Sequence, residues 1–217
     1  MPTTEAAAAA EPPRDCPLCP RLVAYRAENR AAHPDWWNGP APSFGDPNAR
    51  LLIVGLAPGR TGANRTGRPF TGDFAGVLLY ETLIKTGFAR GRYQSRPDDG
   101  LELVGCMITN AVRCAPTGNK PETAEEAACR PFLAARIAAL PRLKVIVTLG
   151  DVARRNVLRA LGLKASAGAA GHGSRLDAAG LTLINSYHCS RLNTNTGRLT
   201  PAMFEAVFET ARAALAA

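Results

Sequence analysis

The sequence predicts a three-layer α/β/α sandwich with a central, mainly parallel four-stranded sheet. Two observations carry that prediction. Four short, nearly continuous apolar runs recur along the chain, and helical patterns fall between and after them. Strands apolar on both faces belong to a parallel sheet covered by helices on either side. The 217 residues suffice for one domain with a sizeable core.

Residues 1–14 are rich in Ala and Pro and are expected to be a disordered tail, with one domain over 15–217. Residues 15–47, dense in Pro and aromatics (Trp36, Trp37, Phe44), are expected to form an irregular packed segment. The first strand is Leu51 to Gly55, the second Leu103 to Thr109, the third Val145 to Gly150 and the fourth Leu181 to Asn185. Helical patterns cover roughly 73–87, 121–139, 151–161 and 200–215. Pro121 and Pro201 sit at helix starts, where proline is tolerated. No internal repeat is evident.

Composition narrows the function classes. Hydrophobic residues make up 46% and charged residues 20%, as in globular proteins. The apolar stretches are broken by Lys, Gly or Thr, so no bilayer span is expected. The first residues lack the basic start and apolar stretch of a signal peptide, which makes the expected location cytoplasmic. The net charge is +8, carried by 22 Arg and only 4 Lys. A basic chain suits a polyanionic partner, although an Arg- and Ala-rich composition also follows from genome bias. Six cysteines in a reducing compartment point to metal ligation, catalysis or burial rather than disulfides.

In an open α/β sheet, ligands bind beyond the carboxyl ends of the strands. Three polar loops lie there: GLAPGRTGANRTGRPFTGD from Gly55 to Asp73, TNAVRC from Thr109 to Cys114, and HCSRLNTNTGR from His188 to Arg198. They supply more hydrogen-bonding capacity than a connecting loop needs. A dinucleotide-binding enzyme is disfavoured, because the first loop is long, contains Pro58 and Pro69, and lacks GxGxxG. Cys16 and Cys19 form a C-x2-C pair, and Cys114 and Cys129 have fourteen residues between them and flank the start of a helix. Four thiolates can hold a tetrahedral zinc or a [4Fe–4S] cluster, and spacing alone leans to zinc. Cys106, within a strand, reads as a small buried hydrophobe, and Cys189 is left out as a ligand. Of the three histidines, His33 and His172 show no constellation around them.

Taken together and in this order, the three loops and the cysteine pairs resemble the uracil-DNA glycosylase superfamily. They are most similar to its family 5 (type B) members, which carry an iron–sulfur cluster. The resemblance covers about residues 15–215. It implies the fold of that superfamily and a monofunctional glycosylase, since none of the three loops holds a Lys for a Schiff base. The implied partner is DNA containing uracil, or other deaminated bases such as hypoxanthine or xanthine, in base excision repair. The expected molecule is bacterial and nucleoid-associated, with a monomer as the default expectation. The cysteine layout implies a structural [4Fe–4S] cluster on Cys16, Cys19, Cys114 and Cys129, tying the N-terminal segment to the second loop.

The resemblance also assigns roles. Phe70 is similar to the residue that stacks on the flipped uracil. Asn110 resembles its edge reader, one amide donating to O4 and accepting from N3–H. Gly55 and Ala57 belong to the same base-binding loop. His188 is placed against O2 of the leaving base. Asp73 resembles the acid that assists catalysis, although an Asp at a helix start is also an ordinary N-cap. Asn64 is a second candidate for positioning water. Leu192, four residues after His188, is similar to the wedge that fills the space left by the flipped base, with Arg191 beside it. Ser190, Arg198 and the backbone amides of Gly59 are expected to contact phosphate, and Arg60, Arg65 and Arg68 to extend that surface. Two departures stand out. Leu56 occupies a position where family 4 has Glu, and Cys189 and Arg191 replace the prolines of the usual His loop. A non-catalytic or covalently trapping uracil-DNA binding protein of the same fold is the alternative. It is disfavoured because the trapping type has a GEQPG loop and a basic insertion that this chain lacks.

Overall fold

The computed structural model describes residues 10–216. In chain order its elements are α1 (Pro20–Ala32), β1 (Phe44–Gly45), β2 (Leu51–Gly55), α2 (Ala63–Thr66), α3 (Phe74–Lys85), β3 (Ala89–Arg90), β4 (Glu102–Leu103), β5 (Cys106–Asn110), α4 (Thr123–Ala138), β6 (Val145–Leu149), α5 (Asp151–Ala160), β7 (Arg175–Ala178), β8 (Leu181–Ser186), α6 (Arg191–Asn195) and α7 (Pro201–Ala216).

The main sheet runs β1-β5-β2-β6-β8-β7. Its four inner strands are parallel, as expected, and are flanked by two antiparallel edge strands. The expected count of four is therefore corrected to six. The edges escape an apolar-run search for physical reasons. β1 has only two residues, and β7 (RLDA) alternates exposed and half-buried side chains. The second expected strand also starts later, at Cys106. Leu103 pairs instead with Ala89 in a small hairpin, and Gly105, at φ 61, breaks the chain between them.

Alternate residues of the inner strands face opposite layers. Leu51, Ile53, Ile108, Val145, Val147 and Ile184 meet Leu79 and Leu83 of α3 and Phe204 and Phe208 of α7. Leu52, Val54, Met107, Ile146 and Leu183 meet Leu133 of α4 and Val157 and Leu158 of α5. Buried on both sides, these strands leave only their carboxyl ends for chemistry. Register brings those ends level, with Gly55 opposite Asn110 and Thr148 opposite Asn185.

The segment expected to be irregular contains a thirteen-residue helix, α1, with Pro20 at its start. Its buried face carries Leu22, Arg26 and Asn29, so the usual apolar stripe is missing. Of the expected tail, residues 1–9 lie outside the described residues. Glu11, from the remainder, forms ion pairs with Arg113 and with Arg136, the latter at 2.6 Å.

Candidate active site

The three loops meet in a cleft of about 530 Å³ lined by Ala57, Gly59, Phe70, Asp73, Asn110 and His188 and rimmed by Ser190, Arg191 and Leu192. Its floor follows from the sheet. Asn110 is the last residue of β5, and its side chain turns over Gly55, the last residue of β2. A Cβ on Gly55 would lie 2.4 Å from Asn110 Oδ1 and 2.6 Å from Phe70 Cζ, so only glycine admits both neighbours. Asn110 Oδ1 is buried without a hydrogen-bond partner. A buried acceptor without a partner costs on the order of 1–3 kcal/mol and marks a place for a ligand donor.

Phe70 reaches the cleft from a backbone φ of 53°, a left-handed conformation that costs on the order of 1–3 kcal/mol for a bulky residue. The surroundings hold it there. Tyr80 Oη donates to Pro69 O at 2.6 Å, and Tyr93 Oη donates to Phe70 O at 3.0 Å. Gly76 leaves room for that carbonyl, which would stand 1.8 Å from a Cβ. Arg68 braces the same turn from below. It donates to Thr71 Oγ1 at 2.7 Å and grips both carboxylate oxygens of Asp99 at 2.8 Å. Arg68 is buried, which corrects its expected place on the DNA-facing surface. Arg60 and Arg65 are exposed as expected.

Asp73 is the N-cap of α3, its Oδ1 accepting from Gly76 N–H at 3.0 Å. The cap uses one oxygen only. Among the described residues Oδ2 has no hydrogen-bond partner, and it rests against Gly59 and Gly62. Burial raises the carboxyl pKa above its ordinary value, and the Gly76 N–H opposes that rise. A cap and a reactive carboxylate are thus compatible roles for one residue.

His188 stands across the cleft, its ring centroid 6.1 Å from that of Phe70. Burial pushes its pKa down to about 4, so the ring is neutral at physiological pH and offers one N–H. A stability consequence follows. The unfolded chain takes up this proton below the ordinary value of 6.5, and the folded chain only below about 4. Stability is therefore complete above pH 6.5 and falls as pH drops towards 4, by on the order of 3 kcal/mol from this residue. Urea denaturation at pH 7 and pH 4.5 should show the loss, and His188→Gln should show less of it. An equal loss in both proteins would contradict the assignment.

The His loop is anchored by Asn193, whose Nδ2 donates to His188 O at 2.8 Å. Ser190 caps the short helix α6. Leu192, in its first turn, is 72% exposed and stands at the rim of the cleft. Arg191 lies over the Phe74 ring, 5.1 Å from its centroid. Cys189 is fully buried in the core, as is Cys106, whose thiol donates to Phe88 O at 3.2 Å.

Two expected site residues are not brought to the cleft. Asn64 is buried, its amide donating to Asn38 Oδ1 at 3.0 Å, so its polar atoms secure the N-terminal segment. Arg198 lies over the Tyr187 ring at 4.5 Å and lines a neighbouring hollow with Gly150 and Arg154. Conversely, Phe74, Asn119 and Asn193 line the cleft without having been singled out. Asn193 had a local signal, since its position in the His loop lets it bond back to the residue that loop presents.

Away from the cleft, Cys16, Cys19, Cys114 and Cys129 line one small apolar cavity with Leu22, Arg26 and Phe132. Arg113 N–H donates to Cys129 Sγ at 3.3 Å, and Arg26 Nη1 approaches Cys114 Sγ at 4.0 Å. Burial raises the Cys114 thiol to about 11 and the Cys129 thiol to about 12, so a metal group would have to displace their protons. Among the described residues no three His, Cys, Asp or Glu side chains are disposed to hold a single metal ion.

Comparison with known proteins gives a consistent picture. The family model of the uracil DNA glycosylase superfamily matches residues 42–212. A type-5 uracil-DNA glycosylase of Thermus thermophilus is 47% identical over 206 residues, covering 92% of this chain and 94% of the relative. One from Pyrobaculum aerophilum is 43% identical over 190 residues, covering 86% and 83%. One from Mycobacterium tuberculosis is 41% identical over 206 residues, covering 91% and 77%. No described helix is long and apolar enough to cross a membrane.

Proposed function

The chain belongs to the uracil-DNA glycosylase superfamily, and from that premise we propose that the cleft excises uracil from DNA and leaves an abasic site for repair. The enzyme is a hydrolase acting on N-glycosyl bonds. The observation that carries the reading is the buried, unpartnered Oδ1 of Asn110 beside the Phe70 ring, facing a neutral His188. A flipped uracil on Phe70 fills that arrangement. Its N3–H donates to Asn110 Oδ1, and its O4 accepts from Nδ2. Cytosine, with an acceptor at N3 and a donor at N4, would meet like against like.

The reaction breaks the C1′–N1 bond, leaving the electron pair on the base. Charge grows on O2, and the His188 N–H hydrogen-bonds to it as it forms. Positive charge grows on the sugar, and the Asp73 carboxylate sits on the first loop to stabilise it. The free Oδ2 of Asp73 orients the water that adds to C1′, whose second proton balances the charge on the departing uracil. Leu192, projecting from α6, fills the space in the duplex that the nucleotide vacates. Exposed Arg191, with Ser190 and the Gly59 backbone, meets the DNA backbone. Deaminated bases that keep the same donor–acceptor edge fall within the substrate range.

Asn110→Asp tests the edge reading. A carboxylate can accept from N3–H but cannot donate to O4, so uracil release should fall about tenfold or more while cytosine is discriminated against less. Unchanged choice between uracil and cytosine in otherwise identical duplexes would remove Asn110 as the reader.

The four cysteines are proposed to hold a [4Fe–4S] cluster. The chemistry of the set fits: four thiols line one apolar cavity, with the Arg113 N–H and the Arg26 guanidinium turned towards sulfur. The cluster would staple α1 to the loop after β5 and to α4. Purified protein should show broad visible absorption, and Cys16→Ser should remove it and lower the Tm by at least several degrees. A colourless wild type containing zinc would refute the cluster.

A further inference from the structure

We propose that His172 is a positioning residue for His188, held by the Gly171–Ser174 turn against the end of β8. The inference rests on His188 acting upon the leaving base. His188 follows two residues after β8 ends at Ser186, where the ladder with β6 stops and no neighbouring strand fixes the backbone. His172 supplies the missing restraint. Its Nδ1 accepts from Tyr187 N–H at 3.2 Å, and its Nε2 faces Met203 O of α7 at 3.2 Å.

Those two partners leave the ring no choice of form. A peptide N–H can only donate and a peptide carbonyl can only accept. Nδ1 must therefore be bare and Nε2 must carry the hydrogen, which is one neutral tautomer. The imidazole thus clamps the Ser186–Tyr187 peptide, one residue before His188, to α7. Its ring also packs against that of Tyr187, with centroids 5.2 Å apart.

The turn that delivers His172 is itself bound to the strand end. Gly173 N–H donates to Asn185 O at 2.7 Å, and Asn185 N–H donates to Ser174 O at 2.9 Å. The Asn185 side chain donates to Ser174 Oγ at 2.8 Å and accepts from Thr148 Oγ1 of β6 at 2.7 Å. Gly171 and Gly173 take φ values of 115° and 74°, so the turn around His172 needs glycine on both sides. The chain of contacts runs from β6 through Asn185 and the turn to His172, and from there to the Tyr187 N–H, one residue before His188. None of these residues other than His188 lines the cleft.

A misplacement of about 1 Å in a reacting group can cost on the order of a hundredfold in rate. His172→Ala should therefore slow single-turnover uracil release about ten- to hundredfold, with little change in affinity for duplex containing an abasic-site analogue. His172→Asn offers an amide oxygen near the place of Nδ1 and should stay within about threefold of wild type. His172→Gln reaches Met203 but not Tyr187 and should behave like the Ala variant. Melting temperatures of all three identify a role confined to stability. Rates that simply follow Tm, or an Asn variant no better than Ala, would overturn the brace. So would a wild-type rate in His172→Ala beside an impaired His188→Ala. A His188→Ala variant at full rate would instead overturn the reading on which the brace rests.

Discussion

His188→Ala should lower the single-turnover rate of uracil release by about two to three orders of magnitude and leave DNA affinity nearly unchanged. The size follows from removing one preorganised donor at a developing anion, which costs on the order of 3–4 kcal/mol in comparable sites. The selectivity for rate follows from placement. His188 is mostly enclosed, faces Phe70 across the cleft, and is neutral because burial holds its pKa near 4. A neutral N–H gains little from a ground-state carbonyl and much from an oxygen acquiring charge, so the loss appears in the chemical step. An equal loss in rate and affinity would mean that His188 binds DNA uniformly and does not serve the transition state. Because the ring is already the neutral N–H donor well below neutrality, its contribution should be flat in pH from about 6 upwards.

Asp73→Asn should slow the reaction by about a hundredfold or more while keeping the fold. Asn retains an oxygen for Gly76 N–H, so the N-cap of α3 survives the change. What disappears is the negative charge in the first loop and the basicity of Oδ2. Asp73→Ala removes both functions and should lose about 1 kcal/mol of stability as well. The pair of variants separates cap from chemistry. A purely structural Asp73 would give a nearly active Asn variant and a damaged Ala variant. A catalytic Asp73 gives two slow enzymes, of which only the Ala variant melts early.

The cleft was legible because its residues sit in long polar loops at strand ends, and those loops are contiguous in sequence. Phe70, Asn110, His188 and Leu192 each fall within a loop that also supplies its neighbours. The four inner strands were legible because both their faces are buried and their apolar runs are continuous. What escaped lacks such a signature. Helix α1 hides Arg26 and Asn29 where a periodic apolar stripe would stand. Strand β7 carries Arg175 and Asp177 on an edge and reads as a loop. The long-range ties were not legible either. Arg68 looked like one more basic residue of an exposed loop, and only its pairing with Asp99, thirty-one positions away, reveals a buried brace. Asn64 looked like a water-positioning group until its partner proved to be Asn38 of the N-terminal segment. His172 seemed isolated because its nearer hydrogen-bond partners are backbone atoms of Tyr187 and Met203, which no side-chain pattern records.

The departures in the His loop have a physical reading. Cys189, standing where the family has proline, is fully buried beneath the cleft and fills the core with a small thiol. Arg191 replaces the second proline and gains a contact over Phe74. The rigidity that proline would supply comes instead from Asn193, through its bond to His188 O, and from the Ser190 cap.

The most direct measurement is the identity of what leaves the DNA. Wild-type protein in excess over a duplex with one uracil should release free uracil, detected by mass spectrometry. The same strand should remain unbroken until alkali cleaves it at the abasic site. Binding of that duplex with no free base released, from either duplex or single strand, would contradict the account.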